Sequence, residues 1–275
     1  MEEIIKIIIL GIVEGITEFL PISSTGHLLV FSSILNSEVA ARLGGTFEIF
    51  IQIGAVFAVI AFYWSDLWVQ IRTVTQDRRV QRLWLNVVIA SLPAGIMGLL
   101  LRDFIKDTIF TDSVAPWVVA IMLIIGGIIF LIVERRPNQP EPTTLDIQDM
   151  TMRQSLWVGL AQTLALVPGV SRSGASIIGG MLTGLNRQTA TAFSFYLAIP
   201  VLGGATVLDL MLSLDEITSE DLMYLLIGAL VSGIIAWIAI RWLLHYVATN
   251  NFIAFGYYRI IAGISILLLL IVGLI

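Results

Sequence analysis

GIVEGITEFLPISSTGH (residues 11–27) and GLAQTLALVPGVSRSGAS (residues 159–176) are polar interruptions of apolar sequence, and they match each other. Without a gap, Gly11 falls on Gly159, Glu14 on Gln162, Ser23 on Ser171 and Gly26 on Gly174. Lipid offers no water to backbone groups that leave a helix. Such breaks therefore survive only where protein or a watery cavity surrounds them. Two matching breaks in two halves of one chain point to a binding site at a repeat interface.

The sequence around them belongs in a membrane. Of 275 residues, 57% are hydrophobic and 13% charged, with a mean hydropathy of +0.94; soluble domains carry roughly 25% charged residues. Cysteine is absent, which excludes disulfides and thiolate–metal chemistry. A net charge of −5 argues against a nucleic-acid partner. The opening MEEIIKIIIL has no net-basic start and no small-residue cleavage site, so it does not read as a signal peptide.

Apolar stretches near the ~20 residues that a membrane helix needs lie at Phe47–Trp64, Trp84–Leu101, Val114–Val133, Phe193–Leu212, Leu222–Ile240 and Ala254–Ile275. The segments 1–46 and 155–190 are each two short apolar arms around a polar break. Loops 65–83 (Arg72, Arg78, Arg79, Arg82) and 134–153 (Arg135, Arg136, Arg153) are basic and belong inside; loop 213–221 (Asp215, Glu216, Glu220, Asp221) is acidic and belongs outside. The second broken segment then enters and leaves by the same face, and the repeat predicts the same for the first.

The expected fold is an all-α polytopic membrane protein with an inverted-topology repeat. Each half is one re-entrant helical hairpin plus three transmembrane helices. A single integral domain spans 1–275: a first repeat at 1–133, a cytoplasmic linker at 134–154 and a second repeat at 155–275. Both termini are expected outside.

Chemistry is concentrated in the breaks. Glu14 and Glu18 share a helix face, and membrane-embedded carboxylates are functional candidates by default. Together they suit a hard cation such as Mg²⁺ or Ca²⁺; solvated ends of an interfacial helix are the plainer reading. Ser23, Ser24, Thr25, Gly26 and His27 follow Pro21. A hydroxyl needs a neighbouring base to act as a nucleophile, and Ser24 and His27 can meet in a turn, although serines and threonines also cap helices. Ser171, Arg172, Ser173, Gly174 and Ser176 form the second set. A guanidinium fork with hydroxyls and a glycine at a helix start suits phosphate; Arg172 as counter-ion of Glu14 or Glu18 is the alternative. Glu48 and Gln52, one turn apart, could line the same cavity or hydrogen-bond between helices. His245 reads as incidental, in a cytoplasmic loop.

EGITEFLPISSTGH (14–27) and PGVSRSG (168–174) resemble the two signature motifs of the bacterial undecaprenyl-diphosphate phosphatase family linked to bacitracin resistance. SIIGGMLTG (176–184) and AFSFYLAIPVLGGATVLDL (192–210) extend the likeness over essentially the whole chain. The resemblance implies a multi-pass enzyme of the bacterial cytoplasmic (inner) membrane. It would hydrolyse undecaprenyl diphosphate to the monophosphate carrier and phosphate, for reuse in peptidoglycan synthesis. It further implies a site open to the outer side and a divalent cation. Family functional residues fall on Glu14, Glu18, Ser23, Ser24, Thr25, His27, Ser171, Arg172 and Ser173; where the family commonly has threonine, this chain has Ser176.

The resulting expectation has Glu18, Ser24, His27 and Arg172 as catalytic residues. Ser24 attacks with His27 or Glu18 as base, and direct attack by water is the competitor. Ser23, Thr25, Ser171, Arg172, Ser173, Gly174 and Ser176 hold the phosphates, and Glu14 and Glu18 hold the cation. A polyprenyl diphosphate lipid is the expected partner, and a homodimer is compatible with this reading. A translocator of the monophosphate lipid is the rival, since broken helices in inverted repeats also describe transporters. Acid-phosphatase-like lipid phosphatases fit less well, because no histidine follows Ser171–Arg172 until His245.

Overall fold

In the computed structural model, which describes residues 1–111, 113–136, 141–213 and 217–274, the two broken segments become two helical hairpins. Helices α1 (Glu2–Thr17) and α2 (Ser24–Leu35) form the first, followed by the short α3 (Glu38–Leu43). Then come α4 (Gly45–Phe62), α5 (Trp64–Thr73), α6 (Arg78–Thr108) and α7 (Ala115–Glu134). Helices α8 (Met152–Thr163) and α9 (Arg172–Leu182) form the second hairpin, and α10 (Arg187–Ser213), α11 (Ser219–Thr249) and α12 (Ile253–Val272) complete the chain.

Among the described residues, six helices are long and apolar enough to cross a membrane: α4, α6, α7, α10, α11 and α12. The hairpin arms, of 16, 12, 12 and 11 residues, fall short of the ~20 a crossing needs. Large apolar side chains such as Leu100, Ile132, Leu230, Ile261 and Leu268 are exposed on the long helices, as a lipid-facing surface requires.

The packing crosses between the halves. Helix α1 lies on α11, and α8 lies on α6. Each first arm is therefore seated on the middle long helix of the opposite half. Small residues at equivalent positions permit this. A Cβ on Gly11 would meet Gly228 O at 2.8 Å, and one on Gly159 would meet the Ala90 backbone. Helices α4 and α10 pack together, as do α7 and α12, which is consistent with the repeat.

Several connections differ from the sequence reading. Residues 65–83 are not one loop, because Trp64–Thr73 is helical. Its exposed Trp64, Trp68 and Ile71, with Arg72 over the Trp68 ring, give it the character of an interfacial helix. His245 lies in α11 and not in a loop; α11 continues beyond its apolar stretch. In the acidic segment 213–221, Asp215, Glu216 and the Glu220 side chain lie outside the described residues. Asp221 is buried, closes a capping box with Thr218 and pairs with Arg42 of α3. Residues 137–140 of the linker also lie outside them. The rest of the linker is pinned: Thr143 and Thr144 donate their N–H groups to Gly184 O, and Glu134 pairs with Arg187 at 2.6 Å while accepting from Phe252 N–H.

Candidate active site

The turns of the two hairpins have the same backbone. Ser23 has φ 74° and ψ 98°, and Ser171 has φ 75° and ψ 117°. Positive φ is uncommon for serine and costs of order 1–3 kcal/mol. Each serine offsets part of this as an N-cap: Ser23 Oγ accepts from Gly26 N–H and Ser171 Oγ from Gly174 N–H. An N-cap contributes about 1 kcal/mol. Within the first turns of α2 and α9, the first two N–H groups have no intrahelical acceptor, so two helix ends bring partial positive charge to the turns.

The turns touch. Arg172 Nη2 donates to Glu18 Oε1 at 2.9 Å, and Ser173 Oγ donates to Leu20 O at 3.0 Å. Ser24 Oγ donates to the other carboxylate oxygen, Glu18 Oε2, at 2.6 Å. Arg172 Nη1 donates to Ser194 O and Oγ on α10, and its guanidinium lies 5.6 Å from the Phe19 ring centre. Its Nε–H has no partner. Glu18 and Ser24 are 5% and 7% exposed. In such a dry place the carboxylate is well placed to take the Ser24 proton, and Arg172 holds it in position.

His27 faces elsewhere. Its Nδ1 is 2.7 Å from Ser23 O and its Nε2 is 2.6 Å from Tyr258 Oη, with the two rings stacked. The expected meeting of Ser24 and His27 is thus replaced by a Ser24–Glu18 contact. The two side chains share a helix face but are held by different partners, His27 by Ser23 O and Tyr258 of α12 and Ser24 by Glu18. Among the expected phosphate ligands, Ser23, Thr25, Ser171 and Arg172 line the cavity described below. Ser173, Gly174 and Ser176 do not. Ser176 Oγ donates to Ser194 Oγ at 2.8 Å, which fixes α9 on α10.

The cavity measures about 530 Å³. It is lined by Glu18, Ser24, Arg172, Gln52 and Gln162, and extends between α6 and α10 past Gly95, Gly98, Leu202 and Gly204. A Cβ on Gly95 or Gly204 would meet nothing within 4 Å. These glycines keep the slot wide at a helix cost of about 1 kcal/mol each. Glu48 lines a neighbouring cavity of about 620 Å³, which shares Thr25, Phe110 and Pro168 with the first.

Glu14 is fully buried with no hydrogen-bond partner on either oxygen. Glu18 and Glu48 are its acidic neighbours and Arg172 a basic one. An unpaired carboxylate in this place is costly and suits a cation. Among the described residues, no three acidic or histidine side chains surround a common metal position. The donor set therefore fits an ion that takes one or two carboxylates and completes its shell with phosphate oxygens.

Sequence reasoning missed Arg259. It is fully buried in α12, with Nη1 on Pro21 O at 3.1 Å and Nη2 on Gly169 O and Val170 O, each at 3.0 Å. It also donates to Met122 O and Leu123 O of α7. One guanidinium thus fastens both turns to each other. The available signal was a lone arginine in an apolar run, since charges there are expensive and seldom idle.

With this geometry established, the chain can be set beside known proteins. The family described as bacitracin resistance protein BacA matches residues 7–265. A protein of Deinococcus radiodurans named undecaprenyl-diphosphatase is 47% identical over 264 residues, 96% of this chain and 94% of that relative. Relatives of the same name from Albidiferax ferrireducens and Neisseria meningitidis are 48% and 42% identical over 267 and 270 residues. These matches cover 96% and 98% of this chain, and 94% and 96% of the relatives.

Proposed function

The chain belongs to the bacitracin resistance protein BacA family, and from that membership we propose how the paired turns carry out the reaction. The protein is an integral membrane enzyme. It hydrolyses undecaprenyl diphosphate to undecaprenyl phosphate and phosphate, which returns the carrier lipid to cell-wall synthesis and underlies bacitracin resistance. Our reading of the site rests on one observation: Glu18 is held between Ser24 Oγ and Arg172 inside the cavity.

In this reading the terminal phosphate enters beside Arg172 and the first turns of α2 and α9. Phosphoryl transfer depends mainly on positioning and charge stabilisation, which the guanidinium and helix N–H groups supply. Ser24 Oγ gives its proton to Glu18 Oε2 and bonds to the terminal phosphorus. The bond from that phosphorus to the bridging oxygen breaks, and the lipid leaves as its monophosphate. Glu18 passes the Ser24 proton to the departing bridging oxygen and is a carboxylate again. It then takes a proton from the water that attacks the phosphoserine and returns it to Ser24 Oγ as phosphate leaves. Glu18 in the cavity wall, with Glu14 buried behind it, would hold the divalent cation, Mg²⁺ or Ca²⁺, which would supply positive charge to the phosphate oxygens. The slot between α6 and α10 takes the first isoprene units.

The site opens to the outer face of the cytoplasmic membrane, with both termini outside. Supporting this, the cavity reaches Arg102, Phe110 and Asp209, near the ends of α6 and α10 that lie away from the arginine-rich loops. The test is acid quench of purified enzyme turning over a prenyl diphosphate labelled with ³²P in its terminal (β) phosphate, in detergent. A phosphoserine at Ser24 is expected, with phosphate release lost on chelation and restored by Mg²⁺ or Ca²⁺. Full activity in Ser24→Ala with no trapped adduct would assign the attack to water.

A further inference from the structure

Gln162 is the counterpart of Glu14 in the second hairpin. It is 1% exposed, and neither of its amide atoms has a hydrogen-bond partner. Unlike Glu14, it lines the cavity that contains Glu18, Ser24 and Arg172. A buried amide with both ends unpaired is rare in folded proteins and costs stability. The protons of nearby hydroxyls are directed elsewhere: Thr163 Oγ1 donates to Leu160 O and Ser91 Oγ to Val87 O. Of the two arginines that line the cavity, Arg172 stands beside Glu18 and Ser24 and Arg102 lies toward its other end, while Gln162 is a buried amide with nothing to bind.

A prenyl diphosphate has two unequal phosphates. The terminal one carries up to two negative charges, and the inner one, an ester on the lipid side and an anhydride on the other, carries one. Arg172 stands with Glu18 and Ser24 and suits the terminal group. We infer that Gln162 Nε2 donates to the inner, lipid-side phosphate. This deepens, and rests on, the assignment of the reaction to this cavity. As the bond to the bridging oxygen breaks, negative charge develops on the inner phosphate, which departs as the monophosphate. A donor there binds the substrate and binds the transition state more strongly, so it acts on kcat as well as KM. The repeat also accounts for the residue type. At the position where the first hairpin places a carboxylate, beside a candidate cation, the second places its uncharged amide, which an anion can approach.

The test uses the full chain in detergent, with Gln162→Leu, Gln162→Glu and the control Arg172→Ala. Readouts are kcat and KM for a prenyl diphosphate, inhibition by prenyl monophosphate and by inorganic phosphate, and thermal unfolding. Gln162→Leu should unfold at the wild-type temperature or above, because an unpaired amide is gone. Its kcat/KM should fall roughly tenfold or more, the worth of a hydrogen bond to a charged group. Inhibition by prenyl monophosphate should weaken by a similar factor while inhibition by inorganic phosphate stays unchanged. Gln162→Glu should lose more than Gln162→Leu. If Gln162→Leu does not fold, Gln162→Met carries the same readouts.

A kcat/KM within about twofold of wild type overturns the inference. So does equal weakening of both inhibitors, or a loss of activity explained by lower thermal stability. If Arg172→Ala is inactive while Gln162→Leu behaves as wild type, only this inference fails. If Arg172→Ala stays active, the site assignment itself fails.

Discussion

The two turns share a backbone and differ in chemistry. Ser23 and Ser171 have nearly the same φ and the same cap onto a glycine three residues on. Around that common frame, Ser24 stands where the other turn has Arg172, Glu18 where it has Leu166, Glu14 where it has Gln162, and His27 where it has Ala175. The duplicated part sets geometry: a strained serine, a helix end and a close glycine. The diverged part divides the work, with acid and hydroxyl on one turn and guanidinium and amide on the other. A site of this kind needs both turns, because the carboxylate and the Ser24 hydroxyl stand on one and the guanidinium on the other.

The largest test of that division is Glu18→Gln. It keeps the shape but removes the proton acceptor of Ser24 and the charge that holds Arg172. Phosphate release should fall by roughly 10²–10⁴-fold, the usual contribution of a general base, and the melting temperature should also drop, because the buried Arg172 loses its counter-charge. A variant within tenfold of wild type would break the pairing. Next is Arg259→Met, which leaves the carbonyls of Pro21, Gly169 and Val170 without their donor. At about 1–3 kcal/mol per unsatisfied buried group, the melting temperature should drop and activity should fall with it. An unchanged melting temperature would show that the turns hold each other without this arginine.

Smaller effects sharpen the comparison. Ser23→Ala and Ser171→Ala each remove a cap while keeping the unfavourable φ, so each should cost about 1 kcal/mol. Equal losses in thermal unfolding would support common geometry; a wide gap would show that the turns are not equivalent. Smallest is Tyr258→Phe, which removes the hydroxyl at His27 Nε2. Stability should fall by about 1 kcal/mol, with kcat within a few-fold of wild type. A fall as large as that of Glu18→Gln would return His27 to the reaction.

Much of the architecture was legible in the sequence, because hydropathy over ~20 residues reflects a solvent constraint that acts on each helix separately. The six long helices and both hairpins follow from it. Helix α5 escaped because Arg72 was read with Arg78, Arg79 and Arg82 as one basic loop, although Trp64, Trp68 and Arg72 at helical spacing mark an interfacial helix. The partners of individual site residues were less legible. Glu18 and Arg172 could be paired by charge, and the structure brings them together. Tyr258, 231 residues from His27, could not have been inferred from spacing, because the packing of α12 on α7 and against the first hairpin decides it. Arg259 carried a visible signal, a charge in an apolar run, whose partners are backbone carbonyls and leave no trace in sequence.

The crossed seating of the arms bears on how the chain is made. Helix α1 leaves the ribosome long before α11, the surface it rests on, has been synthesised. Until then the first hairpin, with Glu14 and Glu18, has no finished seat in the bilayer. Seating of α1 on α11 is thus a late step in the making of the chain. Truncating the chain before α11 should therefore leave an inserted protein whose amino-terminal arm remains open to protease.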